Sequence, residues 1–233
     1  MLDELHKFSS SNPHTTLRDI RVVLHKDTDQ IIQESTTFSR PMPTFVTVVN
    51  AFTTKEGVGI LLWKSGLADQ QADVIVNVPG RRLILEYGAV SSSLLNVAGK
   101  VLQDECNQNA PDGVEFGETV TTSGGNLKCD VVVHGACCAW GEGPDKCKEV
   151  LRKLMSNSLM EAHHRNKTSV AFPSIGTGQR KFPPHLVATV MLEEVVKFSQ
   201  NNPRTSVKDV RFVVYPKDHE TMQVCCSVCV VFI

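Results

Sequence analysis

The chain has 233 residues, of which 41% are hydrophobic and 21% charged, the composition of a globular protein large enough for one α/β domain. Its formal net charge of −1 provides no basic excess for the phosphates of a nucleic acid, so we expect no nucleic-acid partner. No run approaches about 18 apolar residues, and the N-terminal residues lack the apolar segment of a secretory signal. We therefore expect no membrane association and a location in the cytoplasm, the nucleus or both.

Eight cysteines fall in strand-like and helix-like runs, a placement that predicts reduced, buried thiols. Cys225, Cys226 and Cys229 lie close together, but no Cys or His pair at a usual zinc spacing occurs elsewhere in the sequence. The sequence therefore predicts neither a metal site nor a cofactor.

An internal repeat organises the chain. Residues 2–24 align without a gap with residues 192–214, and 11 of the 23 positions are identical. In both copies a helical stretch ends at Asn-Pro and a β-branched strand follows. We interpret residues 1–35 as the last helix and strand of a preceding, related domain and 36–43 as a linker. One complete domain is predicted over 44–223, followed by an apolar, cysteine-rich tail over 224–233.

The predicted elements of the complete domain alternate between strands and helices. Strands are predicted over 44–52, 57–63, 72–78, 117–124, 128–136, 169–173 and 207–215, and helices over 89–107, 144–165 and 183–199. The first two strands form a hairpin, and the nearly continuous apolar run at 72–78 is typical of a strand covered on both faces. This order predicts a three-layer α/β/α domain with a mixed, mostly parallel central sheet.

A glycine-rich loop follows the strand at 169–173 and precedes a helix. Its sequence, Ser174-Ile175-Gly176-Thr177-Gly178, offers backbone amides, two hydroxyls and two glycines that permit close approach of a phosphate. It is not a Walker A loop, because no Gly-Lys-Ser/Thr occurs. In parallel sheets, ligands bind beyond the carboxyl ends of the strands, where this loop is expected. On its own the pattern also fits an ordinary turn.

Four segments, 72–78, 88–106, 117–135 and 170–184, occur in an order and spacing that resemble a macrodomain. The resemblance covers about residues 44–223, and the repeat resembles the multi-macrodomain mono-ADP-ribosyltransferases of the poly(ADP-ribose) polymerase superfamily. It implies a macrodomain fold that binds ADP-ribose or mono-ADP-ribosylated proteins, next to a neighbouring macrodomain in the parent chain. The ligand-binding residues that it implies are Gly66, Leu67, Asn77, Gly88, Ala89, Val90, Ser174, Ile175, Gly176, Thr177, Gly178, Gln179 and Arg180.

The sequence departs from the family pattern on one side of the expected cleft. Gly66 replaces the Asp that recognises adenine, which removes a charged hydrogen bond of about 1.5–3 kcal/mol. Gly80 replaces the second Asn of the motif that begins at Asn77, and Glu86 and Tyr87 replace glycines that approach the diphosphate. Glu86 is expected to repel an anionic ligand if it lies near the site. The resemblance therefore implies weakened or altered binding.

Other residues near the expected cleft have open roles. The usual aromatic residue after the glycine loop is replaced around Arg180 and Lys181, which either contact a phosphate or form a solvated turn. His134 ends a strand and is predicted to pack rather than to catalyse. Cys137 and Cys138 lie at a strand end without a nearby cation that would lower a thiol pKa.

Three functions remain open from the sequence: a module that binds ADP-ribose, a degenerate macrodomain that serves as a scaffold or protein contact, and an ADP-ribosyl hydrolase. Because the second Asn and the glycines are substituted, we predict no catalytic residue in this chain. An NAD-dependent ADP-ribosyltransferase domain, if there is one, is expected elsewhere in a longer parent protein.

Overall fold

The computed structural model describes residues 47–231, which form seven strands and five α-helices. The strands are β1 (Thr47–Thr53), β2 (Gly59–Lys64), β3 (Val74–Asn77), β4 (Thr119–Ser123), β5 (Val131–Gly135), β6 (Ser169–Pro173) and β7 (Asp209–Val214). The helices are α1 (Ala89–Ala98), α2 (Val101–Asn109), α3 (Pro144–His164), α4 (Pro184–Asn201) and α5 (His219–Val231). The predicted helix–strand unit at 1–35 and the linker at 36–43 lie outside the described residues.

All seven strands belong to one sheet in the order β1-β2-β7-β6-β3-β5-β4. The five inner strands run parallel to one another, whereas β1 and β4 pair antiparallel at the two edges. This arrangement confirms the predicted mixed, mostly parallel sheet and the hairpin of β1 and β2. Because the inner strands are parallel, their carboxyl ends meet at a single edge of the sheet, where the loops after them come together.

Two hydrophobic cores lie on opposite faces of the sheet, and alternate residues of β3 supply both. Val74 and Val76 belong to the core under α3, α4 and α5, while Ile75 belongs to the core under α1 and α2. All three side chains are fully buried, as the apolar run at 72–78 predicts. The three-layer α/β/α architecture is therefore as expected.

The predicted helix over 89–107 is instead two helices. Gly99, with φ of +86°, ends α1 through a hydrogen bond from its amide to the carbonyl of Leu95, and α2 begins at Val101. The apolar pattern continues across the break, since Leu94 and Leu102 are both buried in the same core. The apolar spacing of the sequence therefore continues past Gly99, although the helix ends there because this glycine adopts a conformation that other residues rarely take.

The apolar residues near the C-terminus lie in α5. Residues 224–231, which the sequence assigned to a tail, continue this helix, and Cys225 and Val228 are buried against the core. Burial accounts for the apolar character of this segment. Over residues 47–231, no helix combines the length and the apolar character that crossing a bilayer requires.

Candidate ligand-binding cleft

A cavity of about 480 Å³ lies at the edge of the sheet where the parallel strands end. It is lined by Val78, Pro79, Tyr87, Gly88, Ala89, Val90, Ser91, Ala139, Pro173, Ser174, Ile175, Gly176, Gly178, Gln179 and Arg180. These residues come from the end of β6, from the loops after β3, β5 and β6, and from the first turn of α1. The volume lies within the range of about 300–1,000 Å³ that is typical of small-molecule sites.

The loop after β6 takes its shape from a glycine that stands over a buried aromatic ring. Gly176 has φ of +78°, and a Cβ placed on it would lie 2.8 Å from the ring of Phe182. The amide of Phe182 donates to the carbonyl of Gly176 at 3.1 Å, and the Phe182 side chain is 1% exposed. Ile175 is equally buried and anchors the start of the loop. Only glycine fits at position 176.

Two groups of backbone amides line the cavity without partners in the described part of the chain. The amides of Ile175, Gly176 and Gly178 donate no hydrogen bond there. The amides of Ala89, Val90 and Ser91 form the first turn of α1, where a helix has no intrahelical acceptors. Free amides at a helix N-terminus, together with the helix dipole, favour an anion. The cavity thus combines two sets of donors for a phosphate group.

A buried hydrogen-bond network connects α1 to the middle of the sheet. Ser91 Oγ donates to Asn77 Oδ1 at 2.9 Å, and Asn77 Nδ2 donates to His134 Nδ1 at 3.3 Å. His134 Nε2 lies 2.9 Å from Thr122 Oγ1, which donates to the carbonyl of Ser123 at 3.0 Å. Because Nδ1 of His134 accepts from Asn77 and Nε2 donates to the Thr122 hydroxyl, His134 is neutral with its proton on Nε2. The network fixes the first turn of α1 relative to β3.

Burial keeps His134 in this neutral form. Desolvation lowers the pKa of His134 to about 3, and the nearby Glu105 carboxylate offsets only part of that effect. The prediction that His134 packs rather than catalyses agrees with its place in the network. A neutral imidazole at physiological pH acts here as a donor and acceptor that holds Asn77 in one orientation.

Arg180 connects the loop after β6 to the loops after β3 and β5. Its guanidinium donates through Nη1 to the carbonyl of Cys137 and through Nη2 to the carbonyl of Pro79, the latter at 3.3 Å. A Cβ placed on Gly80 would lie 3.1 Å from Arg180 Nη2. The guanidinium therefore lies where a side chain at position 80 would begin. Lys181, which the sequence grouped with Arg180, is exposed and does not line the cavity.

Nine of the predicted ligand-binding residues line the cavity, and four do not. The four are Gly66, Leu67, Asn77 and Thr177. Leu67 is buried in the core under α1, and the side-chain amide of Asn77 makes the hydrogen bonds to Ser91 and His134 described above. The Thr177 hydroxyl donates to the carbonyl of Ser174 at 3.1 Å and stabilises the loop itself. Asn77 thus positions α1 and does not itself line the cavity, and its predicted ligand contact stays a prediction.

Gly66 begins a short 3-10 helix, Leu67–Asp69, that packs against α1. A Cβ placed on Gly66 would lie 2.5 Å from Asp69 Oδ2. The carboxylate of Asp69 therefore occupies the space next to position 66, where the resemblance places the missing Asp.

The substituted residues before α1 differ in their relation to the cavity. Glu86 is exposed and its side chain does not line the cavity, so the expected repulsion of an anion by Glu86 has no support in the geometry. Tyr87 lines the cavity while its side chain remains 70% exposed. Gly88, with φ of +87°, is the N-cap residue directly before α1. The changed side of the cleft is thus aromatic and apolar rather than negatively charged.

Sequence reasoning missed Val78, Pro79, Ser91, Ala139 and Pro173 as lining residues, and treated Tyr87 only as a departure. Each of the five lies at a strand end or in a loop at the carboxyl edge, or in the first turn of α1. Ala139 was the hardest of these to find, because it lies in the loop after β5, which the sequence analysis did not identify as a ligand-binding loop. Adjacency of β5 to β3 in the sheet is the missing signal.

The cysteines near the cleft are buried thiols. Cys138 Sγ and Cys147 Sγ lie 2.9 Å apart, and both side chains are fully buried. Burial raises the pKa of Cys137 and of Cys147 to about 12, so neither is a thiolate nucleophile at neutral pH. Over residues 47–231, no group of three or more His, Cys, Asp or Glu side chains is arranged to hold a metal ion.

Comparison with known sequences identifies similar proteins. The model of the Macro domain family matches residues 80–191. The chain is 33% identical over 168 residues to the human protein mono-ADP-ribosyltransferase PARP14, which covers 72% of this chain and 9% of that protein. It is also 33% identical over 162 residues to a macro domain-containing protein of Listeria monocytogenes, which covers 69% of this chain and 92% of that protein. The chain thus spans a small part of the human relative and nearly all of the bacterial one.

Comparison with solved structures gives the same fold. A macrodomain of Oceanobacillus iheyensis with ADP superposes with a TM-score of 0.70 at 24% identity, covering 75% of this chain and 92% of that one. A macrodomain of Trypanosoma brucei in complex with ADP superposes with a TM-score of 0.64 at 25% identity, covering 73% of this chain and 68% of that one.

Proposed function

Because this chain belongs to the macrodomain family, we propose that its cleft binds the diphosphate of ADP-ribose, either free or attached to a protein. The observation that carries this proposal is the presence of two sets of free backbone amides in one cavity, those of Ile175, Gly176 and Gly178 and those of Ala89–Ser91. The complex of the Trypanosoma brucei macrodomain with ADP supports a ligand that contains a nucleoside diphosphate.

The charge of the cavity agrees with an anionic ligand. Among the lining residues Arg180 alone carries a formal charge, and it is positive. The N-terminal end of α1 adds a partial positive charge, and the Glu86 carboxylate lies outside the lining. A diphosphate therefore meets donors and positive charge without an opposing carboxylate in the wall.

We further propose that this binding is weaker than in macrodomains that keep the full motif. Gly66 lacks the carboxylate that recognises adenine, a loss of about 1.5–3 kcal/mol, or one to two decades in Kd. Asp69 lies close enough to position 66 to restore part of that loss. Gly80 offers no side chain to the distal ribose, and Tyr87 adds bulk before α1.

A second candidate function is a scaffold or protein contact without a ligand. The observation that favours it is the engagement of Arg180 by two backbone carbonyls, which closes one end of the cleft with contacts inside the protein. The exposed ring of Tyr87 at the cavity is compatible with a protein contact as well. We assign no catalytic residue, and hydrolysis of an ADP-ribosyl bond has no support in the cavity.

We also propose that the chain is one unit of a longer protein with repeated macrodomains. The alignment of residues 2–24 with 192–214 supports this, because the second copy forms the end of α4 and strand β7. The human relative, of which the chain spans 9%, is named as a mono-ADP-ribosyltransferase. Any transferase activity would belong to other parts of such a protein.

The experiment that tests ligand binding is calorimetric titration of the full chain with ADP-ribose, compared with the variant Gly178→Glu. Gly178 lines the cavity, and a Cβ on it meets no atom within 4 Å, so a glutamate there starts in open space and adds a negative charge at the cavity. Gly176→Glu is a poorer choice, because its side chain would meet the ring of Phe182. Gly141→Glu is the matched control, since Gly141 is equally open but lies outside the lining.

We expect saturable heat for the wild-type chain, no detectable heat for Gly178→Glu, and wild-type binding for Gly141→Glu. The new carboxylate should weaken binding by about a hundredfold, because it repels the diphosphate at short range. Absence of heat up to millimolar ADP-ribose in the wild-type chain would contradict ligand binding and favour the scaffold.

A further inference from the structure

The end of the cleft next to Gly80 carries a fixed cation. Arg180 leaves the loop after β6, and its guanidinium reaches the carbonyls of Pro79 and Cys137. A Cβ placed on Gly80 would lie 3.1 Å from Arg180 Nη2. Because glycine has no Cβ, position 80 leaves this space to the guanidinium. Two hydrogen bonds to backbone therefore hold the guanidinium in one place before any ligand enters.

The guanidinium retains free donors toward the cavity that it lines. It carries five N–H groups, of which one on Nη1 and one on Nη2 are used for the two carbonyls. Three N–H groups, including that of Nε, donate no hydrogen bond within the described part of the chain. A planar group with several free donors matches two oxygens of one phosphate, and its position is already fixed.

Because the other lining residues are uncharged, the charge of Arg180 can distinguish between ligands of different charge. The other lining side chains in the described part of the chain are apolar, hydroxyl or amide groups, and the Glu142 carboxylate, which is near enough for Arg180 to help lower its pKa, lies outside the lining. A terminal phosphate carries close to two negative charges at neutral pH, whereas each phosphate of a diphosphate diester carries one. A ligand that ends in a phosphate at this position therefore gains more from Arg180 than a ligand that continues into a neutral sugar.

We propose that Arg180, in the space left by Gly80, is a specificity-determining residue that makes the cleft prefer a nucleoside diphosphate with a free terminal phosphate over ADP-ribose. This inference rests on the proposed function, because it concerns the same cleft and the same diphosphate donors. It adds a ranking of ligands and a residue responsible for that ranking.

The experiment is calorimetric titration of the full chain with ADP and with ADP-ribose, for the wild type, Arg180→Gln and Arg180→Lys. Gln keeps a polar side chain near the two carbonyls but removes the charge, and Lys keeps the charge but loses the planar donors. Lys181→Gln is the matched control, because it removes the same charge one residue further on, outside the lining. The melting temperature of each variant is measured without ligand.

We expect ADP to bind the wild type at least about fivefold more tightly than ADP-ribose. Arg180→Gln should weaken ADP about tenfold and ADP-ribose less than about threefold, the size expected for one charged hydrogen bond. Arg180→Lys should keep part of the preference, and Lys181→Gln all of it. If Arg180→Gln does not fold, the test rests on the ratio of ADP to ADP-ribose affinity in the wild type and in Arg180→Lys.

Two results would overturn the inference in different ways. If ADP-ribose binds the wild type as tightly as ADP, or if Arg180→Gln weakens both ligands equally, the ranking is wrong while binding to the cleft stands. If neither ligand binds the wild type, the proposed function fails and the ranking fails with it.

Discussion

The loops after β6 and β3 form two sides of one cleft and are anchored in the same way, but they present different groups to the cavity. The loop after β6 rests on Ile175 and Phe182 and presents backbone amides. The loop after β3 rests on Leu83 and Leu85, both buried, and presents the ring of Tyr87. The anchoring side chains point into the protein in both loops. The residues at the ligand side can therefore change without loss of the fold.

Hydrogen bonds reinforce the anchoring of the loop after β3. Gln103 of α2 accepts from the amide of Leu85 at 2.8 Å and donates to the carbonyl of Leu83 at 3.0 Å. None of these contacts involves Glu86 or Tyr87. This independence explains how one side of the cleft departs from the family pattern while its support remains intact.

The largest expected effect tests the support of the loop after β6. Phe182→Ala should lower the free energy of unfolding by about 3–5 kcal/mol, because it removes a fully buried ring and leaves a cavity under Gly176. Urea denaturation followed by tryptophan fluorescence measures this change. Tyr87→Ala, at the 70% exposed ring, should change the free energy of unfolding by less than about 0.5 kcal/mol. If both variants lost the same free energy of unfolding, Phe182 would not anchor its loop any more than Tyr87 does, which would contradict the comparison.

The next effect concerns the network that holds α1 on the changed side. The pKa of His134 is about 3 in the fold and about 6.5 in an unfolded chain, so the unfolded state binds the extra proton as the pH falls. Stability should therefore decrease by about 2 kcal/mol from pH 7.5 to pH 5.0. Carboxylates contribute little in this window, because their unfolded pKa values lie near 4.

Chemical denaturation at both pH values measures the change. The variant His134→Gln should lose most of the pH dependence, whereas His185→Gln, at an exposed histidine, should retain it. Retention of the full pH dependence in His134→Gln would show that His134 is not the group responsible.

A smaller effect tests whether the adenine side can be rebuilt. The double variant Gly66→Asp with Asp69→Ala should bind ADP-ribose about tenfold more tightly than the wild type, because it supplies one carboxylate at position 66. Gly66→Asp alone should gain less, since its Cβ would meet the Asp69 carboxylate at 2.5 Å. Calorimetry measures both variants. A double variant without any gain would mean that position 66 does not reach the base.

The smallest effect concerns Tyr87. Tyr87→Gly should strengthen ADP-ribose binding by about threefold, because it removes bulk beside the first turn of α1. Calorimetry on the full chain measures this, with Tyr215→Gly as the control at another exposed tyrosine that lies outside the lining. Weaker binding in Tyr87→Gly would instead assign the ring a stacking contact with the ligand.

The fold and one side of the cleft could be predicted from the sequence because both rest on local patterns. The apolar run of β3 and the glycines of the loop after β6 have direct physical consequences, namely burial and positive φ. The break at Gly99 was missed because the apolar periodicity continues through it. The hydrogen bonds of Asn77 could not be read from the sequence, because its partners, Ser91 and His134, are 14 and 57 residues away.

Tertiary proximity also determines the role of Arg180. Its contact with Pro79 spans 101 residues and its contact with Cys137 spans 43, so the sequence shows a cation after the loop but not what it touches. Likewise, the sequence left open whether Glu86 lies near the site, because position along the chain does not give side-chain direction. Such long-range pairings depend on the packing of several loops at one edge of the sheet.

The measurement that tests the central claim most directly is an NMR titration of the ¹⁵N-labelled full chain with ADP-ribose, following the amide resonances of Gly176, Gly178 and Val90. If the two sets of amides bind one diphosphate, these resonances should shift together along one saturation curve, while Gly57 and Gly141, which lie outside the lining, stay unchanged. Unchanged resonances of Gly176, Gly178 and Val90 up to millimolar ligand, or shifts confined to other regions, would contradict the account.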